Sequence, residues 1–245
     1  MLAGGRRARP FTMAVHSTHG CVMIKVHHLE QSRSQRVLWL LEELGQPYER
    51  VRYARDERTL LAPAALRAVH PLGKSPVLEE GGRVVAESGA IIEYLLERHD
   101  AGATLSPGRD DADERLRYRY WLHYAEGSAM PPMVMALVFA RIRKAPMPFF
   151  ARPIARRIAD GAMKGFVGPQ IAAHLAHMEA ALAEQPWFAG DRFTAADIQM
   201  SFPVEAGLSR GNAECPNLHG FLDRIHARPA YQRAIERGGP VLVKG

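Results

Sequence analysis

From Met23 to Leu29 apolar and polar residues partly alternate, which predicts a strand. Val37, Leu40, Leu41 and Leu44 then recur at helical spacing. Ser32 or Ser34 is placed to cap that helix, and Gly45 stands where a glycine ends one. Gln46-Pro47 breaks the pattern, and Tyr48 to Tyr53 predicts a second strand. Residues 57–68 predict a further helix, interrupted by Pro63. Ser75-Pro76 precedes Val77-Leu78, and a proline that cannot donate to a ladder belongs at a strand start or edge. Two short apolar runs, Val77-Leu78 and Arg83 to Ala86, flank Glu79-Glu80-Gly81-Gly82 and predict a hairpin. Ser88 reads as the N-cap of a helix carrying Ile91, Ile92, Leu95 and Leu96. The resulting order, strand, helix, strand, helix, strand, strand, helix, is that of a thioredoxin-like α/β unit, with two parallel strands followed by an antiparallel hairpin.

The pattern changes after Asp100. Residues 100–108 are small, polar and turn-rich, as a linker is, and almost everything beyond them has helical spacing. Arg109 to Lys144 predicts a long helical region broken at Pro131-Pro132. It carries aromatics and methionines, of which Tyr120, Tyr124, Met130 and Met133 are candidates for the wall of an apolar pocket. Residues 141–168 are rich in Arg, Lys, Pro and Gly, and read as a solvated face. Ile171, Leu175, Met178 and Leu182 form an amphipathic stripe. His174 and His177 are expected to face water, since no partner at ligand spacing points to a metal. Thr194 and Asp197 form a capping box, with Phe193 and Ile198 as its hydrophobic staple. Further helices are expected near 217–227 and 230–237. The chain thus divides into an extension over 1–22, an α/β domain over 23–99, a linker over 100–108 and an all-α domain over 109–240.

Charge and composition narrow the functional classes. The chain has 245 residues and a formal charge of +6, of which half comes from Arg6, Arg7 and Arg9 in an acid-free first 22 residues. That segment lacks the apolar run of a secretory signal and reads as disordered. An organelle transit peptide or an upstream start, with Met13 or Met23 effective, also fits it. The remainder is mildly basic, with no dense cationic stripe interleaved with aromatics, which argues against nucleic acid. No run approaches a membrane span. Cys21 and Cys215 are far apart with no CxxC, so a disulfide scaffold is not expected and a reducing cytoplasm is.

Residues 70–96 concentrate the chemistry. A helix N-terminus presents unpaired N–H groups and binds a carboxylate, and a backbone edge before a cis-proline pairs with an extended peptide. Together they suit a small acidic peptide. The order Ser75-Pro76-Val77-Leu78, then Glu87-Ser88 and a helix, resembles the glutathione-binding half of the glutathione S-transferases. Ser32, Arg33, Arg36, Trp39, Leu40 and Leu41 resemble the Ser-Arg-x-x-Arg-x-x-Trp-Leu-Leu run of a serine-type, theta-like branch found in fungi and bacteria. Glu126-Gly127-Ser128 with Pro131-Pro132 is similar to a second run of that branch. Gly190 to Ile198 resembles an element of the transferase helical domain.

The resemblance implies a cytoplasmic, homodimeric detoxification enzyme with glutathione as co-substrate and no permanent cofactor or metal. Ser75 and Pro76 would hold the cysteinyl backbone, Glu87 and Ser88 the γ-glutamyl end, and Lys74 the glycyl carboxylate. Ser32 would favour the thiolate by donating a hydrogen bond to it. Ser34 is the alternative, and the role could be shared with a backbone N–H or Arg33. The electrophile, alkyl or aryl, would sit between the domains. The rivals are a peroxidase or isomerase using the same thiolate, and a glutathione-binding regulator without turnover.

Overall fold

A computed structural model describes residues 23–56, 59, 61–108, 111–209 and 214–241. The basic extension and Cys21 lie outside the described residues, as do parts of the stretch read as a helix over 57–68. β1 (Ile24–Leu29) pairs in parallel with β2 (Tyr48–Tyr53) and antiparallel with β3 (Val77–Glu80), which forms a hairpin with β4 (Arg83–Ala86). The strand order is β2-β1-β3-β4. The hairpin turns at Gly81 and Gly82, both at positive φ (57° and 78°), a conformation glycine takes without cost. Val26, Val77 and Leu78 are fully buried in the sheet.

α1 (Gln35–Glu43) lies over that sheet, and α2 (Ala64–Val69) begins only after Pro63. Proline belongs at a helix start and not inside one, so the helix expected from 57 onward is corrected to one that starts at Ala64. α3 (Ser88–His99) follows the hairpin. The serine-capped start expected for it is also corrected. Glu87 occupies the cap position and Ser88 is the first helical residue, its hydroxyl drawn to other partners.

The helical half is built from α4 (Ala112–Tyr124), α5 (Met130–Lys144), α6 (Arg152–Ala162), α7 (Gly168–Glu184), α8 (Ala195–Leu208), α9 (Pro216–His226) and α10 (Pro229–Gly238). Pro131-Pro132 does not break the first long helix. A π-helical turn over Ala125–Ala129 precedes the prolines, in which the Met130 N–H reaches back five residues to the Ala125 carbonyl. The wider turn takes up the register where two prolines have no N–H to give. The same device recurs over Met163–Val167, where Gly168 bonds to the Met163 carbonyl ahead of Pro169.

α1 is the element on which the halves meet. Trp39 is 1 % exposed and packs edge-on against Tyr231 at 5.0 Å between centroids, with Phe193 at 5.6 Å. Each such side chain buried stabilises by roughly 1.5–3 kcal/mol. The Gln35 side-chain amide donates to the Ala234 carbonyl at 2.6 Å, and a Cβ at Gly238 would collide with Gln35, so α10 closes directly on α1.

Arg36 is the strongest tie. Its side chain is 2 % exposed and reaches three segments. One terminal nitrogen donates to the Gln199 carbonyl at 2.7 Å. The other donates to Glu126 at 2.5 Å and to the Ser88 hydroxyl at 3.2 Å. The Gln199 carbonyl is available because Pro203, four residues on within α8, has no N–H to fill it. Burial works against the Arg36 charge and Glu126 sustains it. Arg33 ion-pairs with the second oxygen of the same carboxylate at 2.9 Å, without hydrogen-bond alignment. Both guanidinium groups lie over the Phe202 ring, at 5.6 Å and 5.5 Å.

At the start of α8, the Asp197 carboxylate accepts from the Thr194 N–H at 2.8 Å, the Phe188 N–H at 2.8 Å and the Thr194 hydroxyl at 3.2 Å. Burial pushes the Asp197 carboxyl up to about 6, and these donors act to bring it back down.

Two stability effects follow. Thr194→Ala is expected to cost about 1 kcal/mol of unfolding free energy, read as a lower urea midpoint with the chemistry of the α/β half intact; an unchanged midpoint removes the cap from the account. Arg36→Ala leaves the Glu126 carboxylate to Arg33 alone and strands the buried Gln199 carbonyl, and is expected to cost roughly 2–4 kcal/mol, from the lost charged hydrogen bonds and the cavity. A loss below about 1 kcal/mol would show that the halves are not tied here.

Candidate active site

The loop between β1 and α1 brings Ser32 to the end of β1, beside the turn that leads into β3. Arg55 holds this loop from β2's side, donating to the carbonyls of Glu30 at 2.9 Å and Gln31 at 3.0 Å. The Ser75–Pro76 bond is cis. The Ser75 hydroxyl donates to the His27 carbonyl at 3.0 Å and accepts from the Leu29 N–H at 3.2 Å, which fixes that turn against β1. Ser32 Oγ stands 3.5 Å from Ser75 Oγ. Two of the residues picked out from sequence, 43 positions apart, therefore meet.

Ser32 is 6 % exposed and Ser34 fully buried. Ser34 occupies the cap position of α1 but makes no capping bond; its hydroxyl points the other way. His28 fixes the direction of the local chain. Its Nε2 lies 2.8 Å from the Gly238 carbonyl, which only accepts, so Nε2 carries the proton. Burial lowers the His28 pKa and keeps the ring neutral, leaving Nδ1 an acceptor. The Ser34 hydroxyl donates to Nδ1 at 2.8 Å. Ser34 Oγ is then the acceptor in its 2.8 Å contact with Ser32 Oγ, while Ser32 Oγ also accepts from the Ser34 N–H at 3.2 Å. The single proton of Ser32 therefore points to Ser34 Oγ, with Ser75 Oγ at 3.5 Å as the other acceptor within reach, and Ser32 is the outermost hydroxyl of the chain.

The second part of the site is the start of α3. Glu87 is exposed and adopts φ 71°, in the left-handed region that side chains other than glycine's rarely enter. Such a conformation costs roughly 1–3 kcal/mol and clusters at functional sites. It carries the chain from β4 into α3 with the first N–H groups of the helix pointing outward, unpartnered within the helix. The Ser88 hydroxyl accepts from Arg36 and from the Gln199 side-chain amide, both at 3.2 Å. A hydroxyl has two acceptor positions and one proton; with both positions filled, Ser88 is left as a donor. Lys74 is exposed on the turn before Ser75. The site thus gathers Ser32, Ser75, Pro76, Glu87 and Ser88 at one end of the sheet.

The four pocket candidates lie in the helical half, away from these turns. Met133 is 1 % exposed and packs where Gly207 of α8 leaves room for its methyl. Met130 is buried at the start of α5. Tyr124 and Tyr120 turn to α7, where their hydroxyls meet His174 at 2.5 Å and His177 at 3.0 Å. These histidines are therefore engaged by tyrosines as well as partly wet, and burial lowers the His174 pKa while it raises that of Tyr124. The helical spacing of core residues and of pocket walls is the same, which is why sequence alone did not separate them. Among the described residues no group of three or more His, Cys, Asp or Glu side chains could hold a metal.

Arg36, Glu126, Gln199 and His28 had no part in the site as read from sequence. One signal for them was present: a proline inside the apolar helical run of α8 marks a freed carbonyl four residues earlier, which a buried chain needs to fill.

Comparison with known proteins agrees with this geometry. Residues 26–104 match the glutathione S-transferase N-terminal domain, and residues 160–229 the corresponding C-terminal domain. Glutathione S-transferase 3 of Schizosaccharomyces pombe is 35 % identical over 217 residues, covering 88 % of each chain. Glutathione S-transferase 1 of Saccharomyces cerevisiae is 33 % identical, covering 88 % of this chain and 95 % of the yeast one. The structure of a glutathione S-transferase from Actinobacillus pleuropneumoniae superposes with a TM-score of 0.73 at 36 % identity, over 90 % of this chain and 95 % of the other. A theta-class enzyme from Xanthomonas axonopodis pv. citri, solved with glutathione bound, gives 0.66 at 27 % identity, over 87 % of this chain and 97 % of the other. With its thioredoxin-like half, its helical half and its relatives on both, the chain belongs to the glutathione S-transferase family.

Proposed function

We propose that this glutathione transferase binds glutathione across the Ser75 and Glu87-Ser88 turns and activates its thiol with the Ser32 hydroxyl. The observation that carries the reading is the one-way hydrogen-bond chain from Ser32 through Ser34 to His28. It commits the Ser34 proton to His28 and leaves Ser32 as the outer hydroxyl, whose proton would turn from Ser34 Oγ to the sulfur when glutathione binds, which supports Ser32 over the fully buried Ser34. The γ-glutamyl carboxylate would take the Ser88 hydroxyl and the first N–H groups of α3, where the helix dipole favours negative charge. The Glu87 carboxylate suits the neighbouring ammonium, and Lys74 the glycyl carboxylate. The cysteinyl backbone would run past Ser75 and Pro76.

The thiol proton is lost to solvent, and Ser32 donates a hydrogen bond to the sulfur that remains. The thiolate attacks an electrophilic carbon of an alkyl or aryl substrate, and the leaving group departs with the bonding pair. Holding the two reactants together supplies much of the rate. The Ser32 hydroxyl stays protonated throughout, so it is a stabiliser of the anion and not a base. A homodimer in the cytoplasm, as is usual for relatives of this fold, is part of the same reading. No helix of the described residues is long and apolar enough to cross a membrane.

A hydrogen bond to a charged group contributes about 1.5–3 kcal/mol, and each pKa unit corresponds to 1.36 kcal/mol. Ser32→Ala is therefore expected to raise the pKa of the bound glutathione thiol by about one to two units, followed by thiolate absorbance against pH. Turnover of chlorodinitrobenzene at neutral pH should fall by about tenfold or more, while Ser34→Ala shifts the thiol far less. Equal shifts in both variants would move the role away from Ser32. Absence of glutathione binding at millimolar concentration would remove the reading altogether.

Glu87→Gly separates binding from folding. Glycine accepts φ 71° freely, so the unfolding midpoint should hold or rise, while KM for glutathione increases and kcat changes little. An unchanged KM would show that the Glu87 carboxylate does not touch the substrate.

A further inference from the structure

The net charge of this protein is not spread over it. Residues 141–167, the end of α5, the connecting loop, α6 and the π-helical turn after it, contain seven basic residues and one acidic one. Beyond the three arginines of the first 22 residues, the rest of the chain holds 22 basic and 25 acidic residues, so the folded part outside this hairpin is slightly acidic and the hairpin alone carries +6. Its single acid, Asp160, is already paired with Arg143 at 2.9 Å. Arg143, Lys144 and Arg156 line a shallow cavity of about 370 Å³ between α5 and α6, with Ala140 as its fourth wall, and no carboxylate borders it.

The same hairpin carries the largest exposed apolar side chains among the described residues. Phe149 is 81 % exposed and Phe150 67 %, at the tip. Ile154 and Ile158 follow one turn apart on α6 and are each more than 60 % exposed, while Ala159 turns inward. A helix with an unpartnered aliphatic edge, phenylalanines at its entry and cations around it has the make-up of an element that lies in a membrane interface. Anionic headgroups attract such cations within a Debye length.

We propose that the α5–α6 hairpin docks this protein on a bilayer surface that contains anionic phospholipid. Phe149, Phe150, Ile154 and Ile158 enter the boundary between headgroups and acyl chains, and the basic cavity between α5 and α6 takes a lipid phosphate. A second copy of the chain fits the surface less well. A two-fold contact sets the same patch against itself, and here that would bring seven cations against seven with one acid on each side. Nucleic acid would satisfy the arginines but give the isoleucines nothing to bury in.

The test is sedimentation of the full chain with large unilamellar vesicles, either of phosphatidylcholine alone or with phosphatidylserine added. The bound fraction with phosphatidylserine should exceed that with phosphatidylcholine by about tenfold and fall as salt is raised. The double variant F149S/F150S should lose binding at either salt, and R143E/R156E should lose the preference for phosphatidylserine. Conjugation of glutathione to chlorodinitrobenzene in solution should be unaltered in F149S/F150S, which keeps docking separate from catalysis. No sedimentation of the wild-type chain with either vesicle overturns the proposal. So does binding that survives both double variants. Conversion of a dimer to a monomer in F149S/F150S, seen by light scattering, would assign the tip to a contact between copies. Binding of an oligonucleotide as tight as that of the vesicles would assign the charge to nucleic acid. Either result overturns membrane docking.

Discussion

A guanidinium that is almost completely buried cannot shed its charge, so the protein around it has to supply acceptors. Arg36 imposes that demand on this fold. It stands on α1, in the thioredoxin-like half, yet the three acceptors of its terminal nitrogens come from α3, the π-helical turn after α4, and α8. Each acceptor is free for a local reason. Pro203 releases the Gln199 carbonyl. The prolines at 131 and 132 come with the widened turn that holds Glu126. Ser88 opens α3 without serving as its cap. A buried ion pair of this kind is weak as a source of stability compared with well-packed apolar groups, but it specifies one arrangement of the two halves over all others. Here the specified arrangement also orients the Ser88 hydroxyl at the start of α3.

How far the sequence could be read depends on how local each cause is. The hairpin at Gly81-Gly82, the strand over Tyr48–Tyr53 and the Thr194–Asp197 capping box are local, and each was legible. The order of strands followed from the alternation of elements, and the meeting of Ser32 with Ser75 from the family resemblance. What was illegible involved pairs distant in the chain. Arg33 and Arg36 lay in one quoted motif and Glu126 in another, and nothing in a single sequence joins them. For Tyr120, Tyr124, Met130 and Met133 the obstacle is different: an apolar helical stripe gives no sign of whether a packed neighbour or an open cleft lies opposite. Ser88 was read as the cap of its helix, whereas its hydroxyl serves Arg36 and Gln199 and not the end of that helix.

The two hydroxyl groups that the proposed site relies on, Ser32 and Ser88, are both held by buried partners. Ser88 has both acceptor positions filled from inside and keeps its proton for the site, while Ser32 rests with its proton on Ser34 Oγ. For Ser32 the inward partners end at the Gly238 carbonyl, at the close of α10. For Ser88 they end at Arg36. The oxygen atoms are thus fixed in place, and for Ser32 a rotation of the hydroxyl proton is the one adjustment left to make. This hold also means that the site is completed by the far end of the chain, through a glycine that lets α10 approach α1.

The π-helical turns have an evolutionary side. Each carries the register of one residue beyond an α-helix, and one residue is about 100° of rotation. The first sits in the limb made by α4 and α5, the second in the limb made by α6 and α7. Everything outward of them, including the α5–α6 tip, is turned by the irregularity that also positions Glu126. A single-residue insertion or deletion in either limb would swing the tip and displace the carboxylate together. Loop length at residues 145–151 is free of that coupling, so length variation among descendants of this chain should collect there and be purged from the limbs.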